Sequence, residues 1–226
     1  MLIVYENKDI LIADKPHDIP TVPLKSQNMA GTLLGMVAER HPDILSVKGV
    51  NSWEYGAVHR LDTATSGLVI FARTQEAYDY LCAIQKNNLM KKTYKACVEP
   101  SDRLRGFDRP NTKTYEIVSY FRSYGPGSKE VRPVQDIKRA DSPVLYTTRV
   151  TDLGDNVMEC IITRGFRHQI RSHLAWAGIP IKGDILYGCG KAGQTLELDC
   201  FGLSFPMQDG NHFSFTKPSG RISSGD

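Results

Sequence analysis

The sequence predicts an α+β fold: a mainly antiparallel mixed sheet flanked by a few helices. Short apolar or alternating runs outnumber helical stretches, and the connections between them are hairpin-like. The strands do not alternate regularly with helices, and no G-x-G-x-x-G is present, which argues against a nucleotide-cofactor fold.

Residues 2–5 and 10–13 are short apolar runs joined by Glu6-Asn7-Lys8-Asp9, a hairpin pattern. Pro16, Pro20 and Pro23 make residues 15–23 an irregular loop. Thr32 opens an amphipathic helix through Leu33, Leu34, Val37 and Ala38, and Pro42 stops it. Residues 41–56 read as a loop. Residues 57–61 and 68–72 read as two strands around the polar turn 62–67. Thr74 caps a second helix, with Glu76 in its favourable first turn and Ala77, Tyr80, Leu81 and Ile84 on one face. Residues 93–98 alternate as a strand, with Tyr94, Ala96 and Val98 on one side. Residues 99–112 are charged and contain proline and glycine, as a surface loop does. Residues 115–120, 144–150 and 157–162 are further strands, and 124–131 reads as a flexible basic loop. A helix over 168–177 ends at Gly178 and Pro180, with Ile170, Leu174 and Ala177 turned inward. Strands over 196–205 and 212–215 close the pattern, and 217–226 is a polar tail. The expected organisation is one domain over 1–216.

With 226 residues, 41% hydrophobic and 23% charged, the chain can bury a core without disulfides. Its five cysteines lack C-x-x-C spacing and follow no secretory segment, which fits reduced thiols in a cytoplasmic protein. No apolar run approaches bilayer length, so no membrane partner is expected. Net charge is only +3, but the cations cluster. Arg164, Arg167, Arg171 and Lys182 have no acid among them, and Lys86, Lys91, Lys92, Lys95, Arg103, Arg105, Arg109 and Lys113 outnumber their acidic neighbours. Such clusters suit a polyanion, or simply a solvated surface.

Two constellations hold groups capable of chemistry. In the first, His59-Arg60-Leu61-Asp62 runs into Thr65-Ser66-Gly67, so that a strand delivers a carboxylate to a turn. Asp62 and Thr65 either satisfy that turn or stand at a cleft mouth as nucleophile, base or ligand, and spacing leaves both readings open. A partly buried carboxylate that stays ionised needs a cation nearby. In the second, His168 and Arg171 lie one turn apart at a helix start. His168 and His173 are separated by five positions and diverge on a helix, so no metal site is expected.

Together these segments resemble a known family. His59-Arg60-Leu61-Asp62-x-x-Thr65-Ser66-Gly67-Leu68 is similar to the H-R-L-D-x-x-T-S-G-L signature of RluA-type RNA pseudouridine synthases. Lys92-x-Tyr94-x-Ala96 resembles that family's second motif. His168-Gln169-Ile170-Arg171-x-His173-Leu174 and the later Gly183-Asp184-x-x-Tyr187-Gly188 resemble its third, and Lys15-Pro16 its opening K-P-x-G. The chain departs from the pattern in three places. Asp18 replaces the opening glycine, Asp199-Cys200 replaces H-A after Leu198, and Arg164-Gly165-Phe166-Arg167-His168 displaces the arginine of T-G-R-x-H.

The resemblance implies the pseudouridine synthase catalytic fold without a separate S4-type RNA-binding domain. It implies a cofactor-free, metal-free isomerase that turns uridine into pseudouridine in structured ribosomal or transfer RNA, acting as a monomer. Asp62 would act at the ribose, Arg171 would be its ion-pair partner, and Tyr94 would stack on the uracil and help deprotonate C5. His59, Arg60, Thr65, Lys92, Arg167 and His168 are the implied substrate contacts. Arg60 or His59 would fill the space of the flipped base, with a structural salt bridge as the alternative for Arg60. A catalytically silent RNA-binding module and an N-glycosidic hydrolase are the alternatives. The presence of Asp62, Tyr94 and Arg171 together argues against the first, and release of free uracil would mark the second.

Overall fold

The computed structural model describes residues 2–24, 28–101 and 106–218. Among them, one sheet is formed by β1 (Leu2–Glu6), β2 (Ile10–Lys15), β3 (Ser66–Ala72), β4 (Lys91–Cys97), β5 (Thr114–Tyr124), β6 (Glu130–Val134), β7 (Tyr146–Gly154), β8 (Val157–Ile162), β9 (Leu198–Pro206) and β10 (His212–Thr216). The strand order is β1-β2-β3-β9-β4-β8-β7-β5-β6, with β10 added to β9. Every pairing is antiparallel except the short parallel seam of β3 with β9, where Ser66 faces Asp199 and Gly67 faces Cys200. Three helices flank the sheet: α1 (Leu33–Ala38), α2 (Gln75–Lys86) and α3 (Gln169–Trp176).

Local chemistry sets the helix starts. The Thr32 and Thr74 hydroxyls accept from the amides of Gly35 and Ala77, filling the first orphan donors of α1 and α2. α2 presents Tyr78, Leu81 and Ile84 to the interior and lies against β3. β3 is buried at every position and β2 at all but one, whereas β5 alternates over most of its length, so both faces of the sheet are covered around β2 and β3. Leu11, Ile12, Leu33, Leu34, Leu68 and Ile70 are wholly buried, each stabilising the fold by roughly 1.5–3 kcal/mol.

Three expectations need correction. Residues 57–61 form no strand: Ala57 makes a lone bridge to Phe71, and the Ile70 amide donates to the His59 ring rather than to a backbone carbonyl, which ends the ladder. Residues 124–131 are not a loop. The end of β5 pairs Tyr124 with Glu130 of β6 around a turn in which Gly125 and Gly127 take positive φ. Pro133 sits in β6 because that strand is the sheet edge, where a missing N–H costs no ladder bond. Lys217 is anchored rather than part of a free tail, with its Nζ 2.8 Å from Asp14 and 3.0 Å from Asp199. Residues 219–226 lie outside the described residues, as do Arg103 and Arg105.

Candidate active site

Asp62 is presented by a loop that the opening proline-rich segment clamps from one side. The Lys15 ammonium, wholly buried, donates to the carbonyls of Pro16 (2.9 Å), Ile19 (2.7 Å) and Thr63 (2.9 Å). His17 Nδ1 lies 3.0 Å from the Ala64 carbonyl, and the Thr21 hydroxyl bridges the amide and carbonyl of Leu61. Burial pulls Lys15 down to about 8, against the pull of Asp18 and Asp62. Asp18, standing where the resembled motif has glycine, takes the left-handed backbone (φ 60) that a glycine adopts freely. The Thr65 amide closes the turn on the Asp62 carbonyl at 3.0 Å. β3 then starts at once against β9, where only Gly67 fits: a Cβ there would lie 2.3 Å from the Cys200 carbonyl oxygen.

The start of α3 supplies the facing wall. Arg171 Nη1 stands 3.8 Å from Asp62 Oδ2, and His168 Nε2 stands 4.0 Å from Oδ1. Both contacts are longer than hydrogen bonds, so the carboxylate keeps its lone pairs open toward a substrate. Its side chain is 24% exposed. Arg171 is aimed by Asp184, to which Nε and Nη2 donate at 2.8 Å each. Asp184 also accepts the amides of Leu186 and Tyr187. Burial opposes both charges of this pair, yet each partner outweighs it, holding Asp184 below and Arg171 above its ordinary range. His168 precedes α3 in the left-handed region (φ 55), a conformation that costs roughly 1–2 kcal/mol outside glycine.

Tyr94 completes the group. It is buried on β4 and hydrogen-bonds the Cys200 thiol, and burial, aided by Cys200 and Asp62, holds its phenol well above the usual range. Lys92, two residues before it on the same face, is buried, and its ammonium meets no acceptor among the described residues. Burial lowers its pKa, and a Cβ at Gly165 would lie 3.6 Å from its Nζ.

The other expected contacts fall elsewhere. His59 turns inward, its Nε2 accepting from the Ile70 amide at 3.3 Å, and burial with Lys92 nearby pulls its pKa far down. Arg60 pairs with Glu54 at 2.8 Å, the structural salt bridge, with its side chain 58% exposed. The Thr65 hydroxyl is buried without a partner among the described residues. Arg167 is exposed but folds back, donating to the carbonyls of Ser128 and Glu130 at the β5–β6 turn. Asp184 and Lys15 escaped the sequence reading as site residues. The signal for Asp184 was present, since the acid-free cation run ends two residues before it.

The model of the RNA pseudouridylate synthase family matches residues 9–176. The chain belongs to this family. RluA-type pseudouridine synthases are isomerases acting on RNA, and the stretch matched holds Asp62, Tyr94, His168 and Arg171. The chain is 27% identical over 228 residues to the uncharacterized RNA pseudouridine synthase YlyB of Bacillus subtilis (strain 168), covering 96% of this chain and 68% of that protein. It is 28% identical to ribosomal large subunit pseudouridine synthase D of Neisseria meningitidis (serogroup A), covering 96% of this chain and 57% of that one. The chain thus spans little more than half the length of some curated relatives. Among solved structures, human RNA pseudouridylate synthase domain containing 1 shares the fold. Its TM-score is 0.68 at 22% identity, over 96% of this chain and 82% of that one. Human RNA pseudouridylate synthase domain containing 4 does so at 0.67 and 16%, over 97% and 89%. No helix among the described residues is long and apolar enough to cross a membrane.

Proposed function

We propose that the chain isomerises uridine to pseudouridine in structured RNA, with Asp62 acting at the ribose. One observation carries this reading: a partly exposed carboxylate stands within 4.0 Å of both Arg171 and His168 without being hydrogen-bonded to either. The reaction breaks the N1–C1′ bond, turns the base, joins C5 to C1′, and releases the C5 proton while N1 takes one up, so that atoms and charge balance. It is redox-neutral, so the proposal includes no cofactor. Asp62 either attacks C1′ or takes the 2′ proton, and Arg171, aimed by Asp184, stabilises the charge that changes there. Tyr94 is the platform for the uracil. Burial keeps it a phenol, which suits stacking and hydrogen bonding and opposes a role as free base at C5. The target base must leave its stack, at a cost of a few kcal/mol.

The relatives named for the ribosomal large subunit make ribosomal RNA the first substrate to test and transfer RNA the second, with the cytoplasm as the place of action. In this reading residues 1–216 act as one catalytic domain, as a monomer, and its own basic surface or a partner selects the RNA.

The test is tritium release from 5-tritiated uridine RNA by the wild type and Asp62→Asn. Release by the wild type alone, with pseudouridine as product, is expected. Free uracil would mark a glycosidic hydrolase, and binding with neither product would mark a silent module.

A further inference from the structure

His168 sits between the catalytic carboxylate and the β5–β6 hairpin. On one side its Nε2 faces Asp62 Oδ1 at 4.0 Å. On the other, its Nδ1 lies 3.0 Å from the Tyr187 hydroxyl, which accepts from the Val131 amide of β6 at 2.8 Å. The hydroxyl owns one hydrogen and accepts from Val131, and Nδ1 is its other neighbour within hydrogen-bond distance among the described residues. Donation of its hydrogen to Nδ1 pairs both groups within the described residues and leaves the ring hydrogen on Nε2. The alternative tautomer would turn a ring lone pair toward the Asp62 carboxylate.

The surroundings keep this arrangement in place. Val131 packs with Phe121 and Tyr146 in a small cluster that Phe166 and Tyr187 join, and Phe121 stacks on Phe166 with centroids 4.8 Å apart. Arg167 ties the same turn down through the carbonyls of Ser128 and Glu130. The left-handed backbone of His168 is held from both sides, and strain of this kind collects where a side chain must be aimed.

We propose that His168 is a positioning residue: as the tautomer with its hydrogen on Nε2 it orients Asp62 through Oδ1, and the β5–β6 hairpin selects that tautomer through Tyr187. This rests on the reading of Asp62 as the acting carboxylate. Burial together with Arg171 and Arg167 outweighs Asp62 and disfavours a charged ring, in agreement with a neutral donor. The distance to Oδ1 has room to shorten when RNA fills the cleft, as catalytic contacts do.

Two arms test it on the full chain. Long-range proton–nitrogen NMR of the His168 ring should find the hydrogen on Nε2 in the wild type and an altered tautomer in Tyr187→Phe. A hydrogen on Nδ1 in the wild type would overturn the proposal, whatever the activity. In single-turnover tritium release at saturating RNA, Tyr187→Phe should cost about tenfold or more, and His168→Ala at least as much. His168→Gln, whose amide nitrogen donates from near the place of Nε2 without help from Tyr187, should retain most of the rate. Adding Tyr187→Phe to His168→Gln should then cost little. Equal costs of Tyr187→Phe in both backgrounds, or His168→Ala acting like wild type, would also overturn it. Should Tyr187→Phe fail to fold, the wild-type spectrum and the His168→Gln and His168→Ala pair still decide. Should the wild type release no tritium from any RNA, the function fails and the ring tautomer still tests the relay.

Discussion

Arg171 is bound to Asp184 and only faces Asp62. Two 2.8 Å hydrogen bonds fix its guanidinium on the wholly buried Asp184, while Nη1 stops 3.8 Å short of the Asp62 carboxylate. The geometry needs a planar fork with a donor to spare. Arg171→Lys should therefore lose most of the single-turnover rate although its charge is kept. Asp184→Ala leaves a buried cation unpaired, with a cost of about 3–5 kcal/mol in denaturant unfolding. Near-normal turnover by Arg171→Lys would show that charge alone suffices.

Lys15 is the second device, holding the loop that carries Asp62. Lys15→Met removes three donors from three carbonyls, one of them beside Asp62. The expected loss of stability is at least about 2 kcal/mol. Hydrogen exchange should quicken at Thr65 and Leu61, whose amides bond within the clamped loop. Unchanged exchange there would remove Lys15 from this role.

His173 makes stability depend on acid. It is buried between Ser119 and Thr148, and burial pulls its pKa from 6.5 to about 3. Below 6.5 the unfolded chain binds a proton that the native state refuses. This contribution is therefore complete above that pH and is lost as the pH falls toward 3. At pH 5 the loss is about 2 kcal/mol. Unfolding measured at pH 7 and pH 5 should lose that much more in the wild type than in His173→Asn, which has nothing to titrate there.

Arg167 separates binding from chemistry. Arg167→Ala should weaken RNA binding by about 1–2 kcal/mol and lower the salt slope by about 0.7 if the exposed guanidinium also meets a phosphate. Turnover at saturating RNA should fall far less than in Tyr187→Phe, because the bond from the Val131 amide to Tyr187 does not involve Arg167. An unchanged slope with faster exchange at Val131 would confine Arg167 to holding the hairpin turn.

How much the sequence disclosed follows the range of each interaction. Thr32 and Thr74 mark helix starts because capping is local, whereas spacing leaves Asp62 open between a turn residue and a functional acid, and only the resemblance to a family motif singles it out. The pairing of Arg171 with Asp184 spans 13 positions and leaves the helix behind, and periodicity says nothing of it. His59 looked like a contact because polar residues next to a catalytic acid invite that reading, but its ring spends Nε2 on the Ile70 amide. β6 was hidden by its glycine-rich turn and by Pro133, which an edge strand tolerates. Asp199 departs from the resembled motif, and the fold explains what it does: it accepts from Ser66 and holds Lys217.

The parallel seam of β3 and β9 has a consequence for how the protein is made. Ser66 and Asp199 stand 133 positions apart, yet they meet at the foot of the loop that carries Asp62. A ribosome delivers β9 after β1 to β8, and β9 must then settle between β3 and β4, in the middle of the sheet. Until it arrives, Gly67 has its β2 partner Lys15 but no neighbour on its other side, and β4 likewise lacks one. Closing so distant a contact is slow compared with forming the hairpins. The Asp62 loop, already held by Lys15, thus gains its support from β9 only late in synthesis.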